Sequence, residues 1–122
     1  MRPLFRIWPM LSAMMIALPM VAAAQTTAFD GTYIGVSIQG TGGRSCTPSA
    51  PAPRPLTIAG GNARLVIGIS SSVFQGPIDP QGGLRLHSGH GALLTGQVDA
   101  SGNASGQILL EHCAYQMTWR KR

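Results

Sequence analysis

Between Gly31 and Arg120 apolar side chains recur at every second position in one short segment after another, and no stretch of ten residues repeats them at helical spacing. Leu65, Ile67 and Ile69 alternate with Arg64, Val66 and Gly68; Leu84 and Leu86 flank Arg85; Leu94 and Val98 oppose Thr95 and Gln97. Cys113, Tyr115, Met117 and Trp119 alternate with Ala114, Gln116, Thr118 and Arg120. Successive side chains of a strand point to opposite faces, so such a chain buries one face of a sheet and leaves the other in water. The pattern predicts an all-β protein with strands near 31–39, 55–59, 62–69, 72–78, 83–88, 91–98, 103–109 and 113–120. In the first of these, Ile34, Val36 and Ile38 form one set and Tyr33, Gly35 and Ser37 the other.

Glycine marks where the strands end. Phe74-Gln75-Gly76-Pro77-Ile78-Asp79-Pro80-Gln81-Gly82 aligns with Leu94-Thr95-Gly96-Gln97-Val98-Asp99-Ala100-Ser101-Gly102 at an offset of 20 residues. In each, Asp can accept backbone N–H groups and Gly can supply a positive φ, so both read as short hairpin connections. Ala59-Gly60-Gly61-Asn62 and Ser88-Gly89-His90-Gly91 are further turn candidates, whereas Leu109 to His112 carries no turn signal. Prolines 48, 51, 53 and 55 predict an extended loop leaving Cys46. Consecutive hairpins predict an antiparallel up-and-down meander of about eight short strands closing into a small barrel or sandwich, since closure hides exposed edges. Gly76, Gly96 and Gly106 are expected to leave room where inward side chains cross, and the short chain predicts a packed core without a ligand cavity.

Composition changes abruptly after residue 24. The first 24 residues hold Arg2, Arg6, five of the six Met and no Gly, whereas all 16 Gly follow. A basic start, the apolar run Leu11 to Val21 and the small triplet Ala22-Ala23-Ala24 describe a secretory signal peptide over 1–24. A membrane anchor is the competing expectation, but Pro9 and Pro19 interrupt the run and no basic stop follows. Cleavage would leave Gln25 as the first of 98 residues, a single all-β domain over 25–122 in the periplasm or outside the cell, with no stable membrane span. Cys46 and Cys113, an even pair in a small exported domain, are expected to form one disulfide.

The mature stretch has seven basic and four acidic side chains, a net +3 that Arg120-Lys121-Arg122 supplies entirely. That is no field for gripping nucleic acid. The tail could touch anionic envelope lipid or polymer, or Trp119 could join the core while its charged end stays solvated. Asp79 and Asp99 are explained by turns and Asp30 by a strand start, leaving Glu111 as the one carboxylate without a local role. No G-x-S-x-G is present, and Ser70-Ser71-Ser72 reads as a hairpin loop. A catalytic set is therefore not expected, nor any cofactor. His87 and His90 straddle a turn, and with distant His112 they could form an open metal site; three exposed residues near strand ends is the plainer expectation.

Phe29-Asp30-Gly31-Thr32-Tyr33 resembles the Phe-x-Gly-x-Trp opening of calycin barrels, with Tyr33 in place of Trp. The resemblance implies a closed barrel, and it implies that Arg120, from the last strand, lies across that aromatic. The chain also resembles uncharacterised small exported β-meander proteins of proteobacteria, which imply no activity. Together these features predict a non-catalytic binding or structural module of the cell envelope, acting through its surface on an envelope or extracellular protein or polymer. Inhibition of a secreted protease or a lysozyme, through the loop 47–55 or residues Gln25 to Ala28, is the alternative. Weak metal binding by His87, His90 and His112 is a third.

Overall fold

Eight antiparallel strands in chain order close into one barrel in the computed structural model, which describes residues 26–67, 72–110 and 112–122. The strands are β1 (Gly31–Thr41), β2 (Leu56–Ala59), β3 (Asn62–Ile67), β4 (Ser72–Pro77), β5 (Gly83–Ser88), β6 (Leu93–Val98), β7 (Asn103–Leu110) and β8 (Cys113–Lys121). Each pairs with its neighbours in sequence, and β8 returns to β1. Of the two expected closures, the barrel is the one formed. The leader expected over 1–24, Gln25, the end of the third strand at Ile69, Ser70-Ser71 and Glu111 lie outside the described residues.

The alternation sorts side chains as its period requires. Leu65, Phe74, Leu94, Val98 and Met117 are buried, while Arg64, Arg85, Thr95, Gln97 and Thr118 between them are exposed. An apolar interior and a polar outer wall are the reverse of a lipid-facing barrel. Trp119 and Tyr33 are the largest fully buried side chains.

The first strand departs from strict alternation. Gly35 pairs with Trp119 and Ser37 with Thr118, so Val36 is an extra residue bulged out of the ladder. The bulge reverses the facing of the rest of the strand: Tyr33 and Ile38 both pack on the core, while Ile34 is 43% and Val36 58% exposed. Ile34, Val36 and Ile38 therefore do not share a face.

Two of the three inward glycines serve another purpose than expected. A Cβ on Gly106 would press against Leu94 and the Trp119 ring at 3.2–3.3 Å, so this glycine does make room for facing side chains. On Gly76 it would collide with the Arg85 carbonyl, and on Gly96 with that of Ser105, so those two let neighbouring backbones approach.

Candidate functional site

The two ends of the barrel are built differently. One end holds the β2–β3, β4–β5 and β6–β7 turns together with Gly31 and Lys121. Asp79 Oδ1 accepts from the N–H groups of Gln81 and Gly83 at 2.9 and 2.8 Å; Asp99 Oδ1 accepts from Ser101 and Asn103, both at 2.9 Å. Gly82 and Gly102 follow with φ of 88° and 87°, so the sequence repeat is a repeat of turn geometry. The β2–β3 turn has no Asp of its own. Asp30, from the start of β1, supplies one, accepting from Gly60 and Gly61 at 2.8 and 3.0 Å. Turn carbonyls then bind the next strand: Gly61 O accepts from Ile78 N–H, Gly82 O from Val98 and Gly102 O from Lys121. All three described aspartates are thus spent on closing this end.

These contacts shift two titrations. The Asn103 N–H, with its side-chain amide and the Ser101 and Gly102 N–H groups, holds the Asp99 carboxyl below the usual range against an opposing desolvation. Burial, and then the negative charges of Asp30 and Asp99, push the Tyr33 phenol upward. The phenol donates to Phe29 O at 2.6 Å. The resemblance implied that Arg120 would cross this aromatic. Instead Arg120 is exposed between Ile34 and Asn103 on the outer wall, and the Lys121 amine lies 5.9 Å from the Tyr33 ring centre.

The opposite end is where the expected loop 47–55 lies. On β1, β2 pairs only with Gly31, Thr32 and Tyr33, so most of that eleven-residue strand lacks a strand partner on that side. After a single 3₁₀ turn at Arg44–Cys46, the proline-rich segment runs back along the inward face of β1. A Cβ on Gly40 would collide with the Cys46 carbonyl, and one on Gly35 would lie 2.9 Å from Pro53 Cδ. Two anchors hold this strap. Cys46, fully buried, is bonded to Cys113 at the start of β8, their Cα atoms 5.4 Å apart; the Trp119 indole N–H donates to the Arg54 carbonyl at 2.8 Å.

Between strap and barrel is a half-open cavity of about 410 Å³; the barrel core is packed as expected, and the departure from that expectation is this hollow under the strap. Ile38, Ile67, Ile108, Leu110, Tyr115 and Met117 form the barrel side; Pro48, Ala50, Ala52 and Pro53 form the strap side. Toward the sealed end the interior is filled, with Ile58, Ala63, Leu84, Val98 and Ala104 all at 0–3% exposure. The cavity escaped the sequence because proline stiffens a segment without saying which surface it will lie on.

The histidines are at the strap end but outside this cavity. His87 is exposed on β5 between Gln75 and Leu93, His90 is in the β5–β6 turn and His112 in the β7–β8 turn. Among the described residues no three His, Cys, Asp or Glu side chains come together as a metal-holding group. No helix among them is long and apolar enough to cross a membrane. The chain matches no family model, no curated protein and no solved structure.

Proposed function

We propose that this protein is an exported, non-catalytic binding domain that takes a small apolar molecule into the cavity beneath its strap. The cavity carries the reading: its roughly 410 Å³ falls within the ~300–1,000 Å³ of small-molecule sites, and aliphatic side chains dominate its wall. Export is supported by the leader-like residues 1–24 and by a disulfide, which persists in oxidising compartments. The non-catalytic reading rests on the aspartates, each bonded to backbone N–H groups of a turn away from the cavity. The calycin-like opening around Tyr33 belongs with this reading. Inhibition of a hydrolase keeps one point of support, the exposed tip Ser49-Ala50-Pro51 on an anchored segment.

Titration with the uncharged dye N-phenyl-1-naphthylamine tests the proposal. Folded protein should give saturable, one-to-one fluorescence enhancement. Ala52→Trp, which fills the cavity from the strap side, should weaken binding about ten-fold or more while the unfolding midpoint is kept. Absence of dye binding to the folded protein rejects a cavity ligand. Stoichiometric recovery of one hydrolase from periplasmic extract would then favour inhibition.

A further inference from the structure

The strap cavity has a neighbour on the outer wall. A groove of about 790 Å³ crosses β2, β3 and β4, and both hollows are lined by Arg54 and Val66. The two hollows thus share a wall where the strap enters β2. Their chemistry differs: the cavity is mainly aliphatic, whereas the groove is bordered by Arg54, Thr57, Asn62, Arg64 and Gln75, with no carboxylate among its described residues.

Both guanidinium groups belong to exposed residues on ordered backbone. The Arg54 carbonyl is pinned by the Trp119 indole, and Arg64 sits in register between Thr57 on β2 and Gln75 on β4. Asp30, Asp79 and Asp99 accept from backbone N–H groups of the turns and line neither hollow. Two cations with hydroxyl and amide donors beside them recognise an oxyanion.

We propose that the ligand is a single-chain amphiphile with an anionic head, its tail under the strap and its phosphate or carboxylate in the groove at Arg54 and Arg64. The inference rests on the cavity being a ligand site and adds the head group and the residues that read it.

Calorimetric titration with decyl phosphate, decanoate, decanol and inorganic phosphate, each below its aggregation limit, separates the possibilities. Decyl phosphate or decanoate should bind about ten-fold or more tightly than decanol, and inorganic phosphate alone should bind far more weakly. The more strongly preferred of the two acids identifies the head group. Arg64→Gln and Arg54→Gln, each folded by circular dichroism, should bring the acid down to the alcohol's affinity. Arg85→Gln, outside the groove, should leave the difference intact, and salt should shrink it. Equal affinity for acid and alcohol overturns the amphiphile proposal while the apolar cavity stands. Binding of none of the alkyl probes overturns both. Inorganic phosphate binding as tightly as decyl phosphate overturns the link between head and tail.

Discussion

Tyr33 shows how one side chain can serve two parts of the barrel. Its ring, 1% exposed, is core, and its hydroxyl is a donor to the Phe29 carbonyl, tying the entering chain to the first strand. Tyr33→Phe keeps the ring and removes the donor, so it should cost about 1 kcal/mol, the usual net value of a hydrogen bond. The variant also has a distinct pH signature. The folded-state phenol is raised above its ordinary value, so its contribution is fully present below the unfolded value of about 10 and is lost as pH rises through the folded one. Urea unfolding of both proteins at pH 7 and about 10.5 should therefore show a narrower stability gap at the higher pH. A gap that stays constant or widens would mean that the phenol ionises as easily folded as unfolded.

At the scale of elements, the sealed end depends on a carboxylate placed beside each turn. Asp99→Ala removes the acceptor for the Ser101 and Asn103 N–H groups and should lower the thermal midpoint at pH 7. The Asp99 carboxyl is depressed in the fold, so its stabilisation is present above the unfolded value of about 3.9 and disappears as pH falls through the folded one. Wild type and variant should thus converge by acid unfolding near pH 2. A difference that survives there would point to lost side-chain volume instead. Asp79 and Asp99 were legible in the sequence because each precedes its turn glycine by three residues. Asp30 was not, since it serves a turn some thirty residues away. The strands were legible because period two is enforced by burial of one face. The bulge at Val36 was hidden because an apolar residue there also fits unbroken alternation, and only the pairing of Gly35 with Trp119 exposes the extra residue. The strap was hidden for a similar reason: it lies close to Gly35 and Gly40, a contact set by the return of the segment across β1.

For the molecule as a whole, the Cys46–Cys113 bond joins the questions of stability and binding. It closes a separation of 67 residues, and the chain-entropy model assigns such a link roughly 4 kcal/mol. Yet the barrel closes without it: β1 and β8 share a ladder from Tyr33–Lys121 to Thr41–Ala114. The strap has no ladder; apart from the disulfide, its described anchor is the Arg54–Trp119 hydrogen bond. Replacing both cysteines by serine should therefore lower stability by roughly 2–5 kcal/mol while the strand signal in far-ultraviolet circular dichroism persists at low temperature. The cavity should suffer more than the barrel. With one wall held at a single point, naphthylamine affinity should fall about ten-fold or more, and amide exchange in 47–55 should quicken relative to β6 and β7. Retained dye affinity in a folded double-serine variant would place the binding surface on the barrel walls and leave the strap no part in it.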